Sequence, residues 1–210
     1  MIRITDPGRL RLAVLASGRG SNFAAIMQAI EEKRLSADIV LVISDKKDAP
    51  VSNKALTCKI DFFYIAPEDF TSKTAYEQEI IKRLKEYNVQ LVVLAGYMRL
   101  IGKELLNAYK WKIINIHPAL LPSFTGLHAQ QQAIDYGVKF SGCTVHFVDD
   151  GVDSGPIIMQ RVVPVFPQDT ADTLAERILI EEHQVYAESL QLFAQGKVYL
   201  DGRKVLIKER

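Results

Sequence analysis

Short apolar runs alternate along this chain with segments whose apolar residues recur every three or four positions. Residues 12–16 form an unbroken apolar run of strand length and lead into a glycine turn; Phe23, Ile26, Met27 and Ile30 then recur at helical spacing. The same alternation continues downstream. Residues 39–43, 62–65, 91–95 and 113–116 read as strands. A short helix opening at Pro50 and running to Cys58, a helix over 74–87 and one over 103–109 read as the segments between them. Tyr76, Ile80, Leu84 and Tyr87 share one face of the second of these helices. The strands do not alternate polar with apolar residues, which predicts a parallel sheet covered on both faces. An open, doubly wound, Rossmann-like sheet of about four to six strands is the expected architecture.

After Ile116 the pattern changes. Residues 117–128 are rich in Pro and Gly and read as a loop, a candidate lid, before a short helix over 129–136. Two longer strand candidates, 141–148 and 156–165, are joined by an acidic connection and predict an antiparallel pair. Thr170 is placed to cap a long helix reaching residue 194, and 198–200 with 205–207 flank an Asp-Gly turn, predicting a terminal hairpin. No linker, repeat or low-complexity segment interrupts the chain. One domain over 1–210 is expected: 1–10 as an N-terminal extension, about 11–110 as a phosphate-binding half and about 111–210 as a catalytic half.

Composition narrows the function classes. The 210 residues are 48% hydrophobic and 24% charged, enough for a sizeable core, and the net charge of +1 removes the main electrostatic argument for a nucleic-acid partner. The basic residues Arg203, Lys204, Lys208 and Arg210 read as a solvated terminus. Cys58 and Cys143 have no pairing or metal-like spacing and read as free core thiols of a reducing compartment. With no secretory leader and no run of ~18 apolar residues, a soluble cytoplasmic protein without membrane partners is expected.

Three segments carry candidate chemistry. Ser17-Gly18-Arg19-Gly20-Ser21-Asn22 joins the first strand to the first helix, where glycines let the backbone turn tightly and free N–H groups at a helix N-terminus suit a phosphate. It is neither a dinucleotide fingerprint nor a Walker loop, and a plain capped turn is the alternative. Asn115-Ile116-His117-Pro118 ends a buried strand. Alternation puts Asn115 and His117 on one face, where ligands of open α/β sheets bind, although a strand-end histidine can also be purely structural. The run from His146 to Pro156 holds Asp149, Asp150 and Asp153, readable as a solvated turn or as the source of one catalytic carboxylate; its spacing does not suit an EF-hand. The attractive pairing is His117 with an acid of this loop, because a carboxylate stabilises a charged imidazole that donates to a developing oxyanion. Asn115 would add a neutral donor. No nucleophile elbow and no His/Cys cluster for a metal is present, so the constellation suits direct acyl transfer between two bound substrates.

These segments, taken in order, resemble the folate-dependent phosphoribosylglycinamide formyltransferases. The resemblance runs from about residue 11 to 200 and rests on SGRGSN (17–22), LAGYMRLI (94–101), INIHPALLP (114–122), GCTVHFVDDGVDSGPII (142–158) and EEH (181–183). It implies a formyltransferase-type sheet, small-molecule substrates, 10-formyltetrahydrofolate as co-substrate, no metal, and a monomer or homodimer. It implies Asn115, His117 and Asp153 as the catalytic trio, and Gly20, Ser21, Asn22 and Glu182 as the site for the phosphoribosylglycinamide. Lys73, Met98, Arg99, Leu100, Ile101, Asn115, Asp149, Asp150, Gly151, Val152 and Asp153 would bind the folate. Lys73 stands where some members have Arg, and Thr125 where Pro is frequent. Read without the resemblance, Met98 and Leu100 pass for core residues, and Glu182 and Lys73 for exposed helix charges. The related methionyl-tRNA enzyme and the formyltetrahydrofolate deformylase share the Asn-x-His-Pro element but carry an additional domain, for which 210 residues leave no room. The deformylase is the alternative activity.

Overall fold

In the computed structural model, which describes residues 1–208, the apolar runs before residue 165 assemble into a single seven-stranded sheet. The elements of the first half are β1 (Ile2–Arg3), β2 (Leu10–Leu15), α1 (Ser21–Glu31), β3 (Ala37–Ser44), α2 (Val51–Thr57), β4 (Phe62–Tyr64), α3 (Lys73–Glu86), β5 (Leu91–Leu94) and α4 (Lys103–Ala108). Those that follow are β6 (Ile113–His117), α5 (Ala129–Tyr136), β7 (Phe140–Phe147), β8 (Ile157–Pro164), α6 (Ala171–Ala194), β9 (Val198–Asp201) and β10 (Lys204–Ile207). The sheet order is β4-β3-β2-β5-β6-β7-β8. The first five positions are parallel; β7 runs antiparallel to both β6 and β8. The sheet is thus wider than the four to six strands expected. The antiparallel pair does not stand apart but extends the parallel sheet, because β7 finds the free edge of β6.

Alternation along the buried strands divides the core into two layers. Leu12, Val14, Leu91, Val93, Ile114, Ile116, Cys143 and Val145 face α1 and α6, whose Phe23, Ile26, Ile178 and Leu190 fill that side. Ala13, Leu15, Leu41, Val92 and Ile113 face α3 and α4, with Tyr76, Ile80, Leu84 and Leu105. The long helix α6 is started by a capping box in which Thr170 and Thr173 satisfy each other's backbone N–H groups. It is tied to the sheet by the fully buried Tyr186, whose hydroxyl donates to the carbonyls of Leu94 (2.9 Å) and Ile114 (3.1 Å). Left unpaired at this depth, that hydroxyl would cost about 1–3 kcal/mol.

The order of strands reverses between β2 and β5, and the loops after these two strands carry SGRGSN and GYMRLI. The switch point, where ligands bind in open α/β sheets, is therefore flanked by two of the singled-out segments.

The ends of the chain build a second sheet, β1-β9-β10. The terminal hairpin is present as expected. The N-terminal extension supplies β1, a strand too short to leave a periodic signal, which pairs Ile2 with Leu200 and Arg3 with Tyr199. The basic tail is only partly solvated. Arg203 donates to the carbonyl of Ser154 (2.6 Å) and the Lys208 ammonium lies over the Tyr199 ring; Arg210 falls outside the described residues. Both cysteines are free. Cys143 is buried, which pushes its thiol up to about 12, whereas Cys58 is half-buried at the core's margin rather than within it. No helix of the described residues is long and apolar enough to cross a membrane.

Candidate active site

The alternation that buries Ile114 and Ile116 turns Asn115 and His117 to the opposite face of β6. The antiparallel register sets His146 of β7 beside Asn115 and Thr144 beside His117, on that same face. The acidic connection after β7 then folds back over these residues. Gly155 permits the reversal: a Cβ there would lie 1.8 Å from the Phe147 carbonyl oxygen. Asp149 ties the loop internally, accepting from the Gly151 N–H (3.2 Å) and the Ser154 hydroxyl (2.7 Å), while Asp153, with φ +49°, turns inward. Its Oδ2 lies 3.3 Å from His117 Nδ1 and its Oδ1 3.6 Å from His146 Nε2. Of the three acids, Asp153 is the one the fold delivers to His117; Asp150 stays exposed.

Hydrogen-bond chemistry assigns the ring protons. A carbonyl only accepts, so His117 Nε2 donates to Phe124 O at 2.7 Å, and its Nδ1 faces the Asp153 carboxylate. His146 Nδ1 donates to Phe147 O at 2.8 Å, which leaves Nε2 to accept one N–H of the Asn115 amide at 3.3 Å. Burial lowers the pKa of His146 and favours this neutral form. The second N–H of Asn115 is then oriented and uncommitted. The 117–128 loop closes on the same groups, since the Gly126 N–H donates to Asp153 Oδ2 at 2.8 Å.

The phosphate-loop segment is built differently. Gly20 sits at φ +65° before α1, and a Cβ there would meet the Val51 side chain at 2.6 Å, so both conformation and space call for glycine. Asn22 donates from Nδ2 to Glu182 Oε2 at 2.9 Å, joining the loop to α6. Glu182 is buried, and burial pushes its carboxyl up to about 7 against the lowering effect of the Asn22 bond. Lys54 of α2 reaches the Gly20 carbonyl with its ammonium (3.3 Å).

Met98 and Leu100 are 64% and 67% exposed, so the segment after β5 presents apolar side chains to solvent and is not core. Lys73 is exposed, with its stem packed beside Gly102, at the end of that segment.

Residues 10–190 match the model of a family described as formyl transferase. A phosphoribosylglycinamide formyltransferase of Bacillus subtilis is 47% identical over 176 residues, 84% of this chain and 90% of that protein. The chain belongs to the phosphoribosylglycinamide formyltransferase family. In structure it resembles glycinamide ribonucleotide transformylase 1 from Symbiobacterium toebii, with a TM-score of 0.94, 46% identity, and 96% and 95% of the two chains covered. A formyltetrahydrofolate deformylase from Pseudomonas syringae is more distant, at 28% identity and TM-score 0.88, with 66% of its chain covered.

For a member of this family the structure brings Asn115, His117 and Asp153 into one cluster through His146, and Asn22 of the Gly20-Ser21-Asn22 turn against Glu182. Glu182 is not the exposed helix charge that its local sequence also permits. Two residues of the site were missed in the sequence. His146 lies within a quoted motif, but only the β6–β7 register shows that it holds Asn115. Lys54 lies on a helix with no distinguishing pattern and meets the phosphate loop through tertiary packing. Among the described residues no group of three or more His, Cys, Asp or Glu side chains is placed to hold a metal ion.

Proposed function

We propose that this protein transfers the formyl group of 10-formyltetrahydrofolate to the primary amine of 5-phosphoribosylglycinamide, a step of purine biosynthesis, with Asn115, His117 and Asp153 as its catalytic residues. The observation that carries the reading is the cluster itself: the Asp153 carboxylate faces the His117 ring at 3.3 Å, and His146 orients the Asn115 amide on the same face of the sheet.

The amine attacks the formyl carbon, and the carbonyl electron pair moves onto oxygen. The free N–H of Asn115 and a ring N–H of His117 receive that oxyanion; the Phe124 carbonyl that accepts from His117 Nε2 gives way to the formyl oxygen. Asp153 holds the other ring nitrogen and takes part in passing a proton from the attacking ammonium, through water, to the folate nitrogen. The bond from carbon to that nitrogen then breaks, leaving tetrahydrofolate and the formylated amine. Gly20, Ser21 and Asn22 bind the phosphate with backbone N–H groups, the Lys54 ammonium adds charge, and Glu182 accepts from the ribose. Residues 98–101, 149–153 and Lys73 form the folate side. Juxtaposing two substrates supplies much of the rate.

Hydrolysis of the same folate is the competing reading, favoured only by the more distant deformylase likeness. Folate absorbance followed with and without phosphoribosylglycinamide separates them. Release that depends on the amine is expected; equal release without it would establish hydrolysis.

A further inference from the structure

Two buried carboxylates, Asp45 and Glu77, lie outside the catalytic cluster, yet both bond to the segment after β5. Glu77 accepts from the Gly102 N–H and, at 3.2 Å, from the Leu105 N–H, which fastens the segment's far end. Asp45, at the end of β3 with a side chain only 1% exposed, acts at the near end through Ser17. The Ser17 hydroxyl donates its one hydrogen to Asp45 Oδ1 at 2.5 Å and so turns its lone pairs to the Met98 N–H, which it meets at 2.9 Å. The Ser17 N–H is in turn bonded to the Gly96 carbonyl at 3.0 Å. The second oxygen of Asp45 lies 3.8 Å from the Arg99 guanidinium, which also lies over the Tyr76 ring. A carboxylate at this depth costs stability. What it supplies here is an oriented Ser17 hydroxyl that receives the Met98 N–H and a held Arg99, both acting on the exposed Met98–Arg99 stretch.

We propose that Asp45 is a positioning residue for folate binding: by orienting Ser17 it locks the start of the 98–101 segment to the strand that also launches the phosphate loop. The inference rests on the reading of 98–101 as part of the folate site. It differs from that reading in assigning the segment's shape to a buried Asp–Ser pair that touches no substrate.

The test uses the whole protein. Steady-state kinetics with both substrates and calorimetric titration with tetrahydrofolate are measured for wild type, Ser17→Ala, Asp45→Ala and Asp45→Asn. Ser17→Ala and Asp45→Ala are expected to raise the KM for 10-formyltetrahydrofolate and the Kd for tetrahydrofolate about tenfold, with kcat and the KM for phosphoribosylglycinamide changed less than about twofold. Asp45→Asn is expected to stay within about threefold of wild type, because its amide oxygen accepts the same hydroxyl hydrogen. Unchanged folate affinity, an equal rise in both KM values, or an Asn variant as impaired as the Ala variant would overturn the proposal. Should Asp45→Ala fail to fold, Ser17→Ala carries the test. Wild-type protein that does not bind tetrahydrofolate would overturn the folate-site reading and this inference with it; wild-type binding with unaltered variants overturns this inference alone.

Discussion

The two candidate halves of the site, one after β2 and one on β6, are built by different means. On the β2 side the site is mostly backbone: one left-handed glycine, the first N–H groups of α1, and a few side chains brought up behind them. On the β6 side it is almost wholly side chain, with Asn115, His117, His146 and Asp153 drawn from two strands and a folded-back loop. A backbone cradle is a local property of a few consecutive residues. A side-chain cluster exists only once strand register and loop closure are set. The first suits an anion that must be bound; the second suits charge that appears only during reaction.

The comparison breaks first at the cluster. His117→Ala and Asp153→Asn should each lower kcat by ~100-fold or more while leaving the KM for phosphoribosylglycinamide near its wild-type value. Near-normal turnover in either variant would remove the cluster from the chemistry.

A smaller effect sharpens the account of His146. His146→Ala removes the acceptor that orients the Asn115 amide and should reduce kcat about tenfold. In an Asn115→Ala background the same change should cost much less, since its target is gone. Full additivity of the two losses in a double-mutant cycle would show that His146 does not act through Asn115.

The smallest effect belongs to the other half and is one of stability. The Glu182 carboxyl titrates near 7 in the fold and near its ordinary value when unfolded. The folded state therefore holds the proton more tightly, and the penalty for ionising it grows as pH rises from about 4.5 to 7 and is complete above that. Glu182→Gln, which cannot ionise and still accepts from Asn22, should melt at the wild-type temperature at pH 4.5 but roughly 3 °C or more above it at pH 8. Equal melting temperatures at both pH values would mean that the buried carboxyl is solvated in solution.

How much was legible in the sequence follows the same division. The inner strands β2, β3 and β5 were visible as apolar runs, because burial on both faces leaves few polar positions to blur them, whereas β7 and the edge strand β8 carry polar residues and showed as strands by their length between turns. The phosphate loop was visible as a shape, though a plain capped turn fitted equally well. The proposed catalytic cluster was not derivable from spacing. Asn115 and His117 could be placed on one face, but choosing Asp153 among three acids came from family resemblance, and the loop's reversal at Gly155 supplies the physical reason. His146 and Lys54 depend on register and helix packing, which no local pattern records. β1 was missed because two residues cannot show a period.

That small strand also makes the pairing of greatest sequence separation in the smaller sheet. Ile2 and Arg3 pair with Leu200 and Tyr199, nearly two hundred positions away in the sequence. Such a contact, spanning almost the full sequence, is among the slowest kinds to form. The hairpin that receives it also carries Arg203, bonded to Ser154 beside Asp153. The loop that carries Asp153 is thereby fastened by a side chain 49 residues further along the chain.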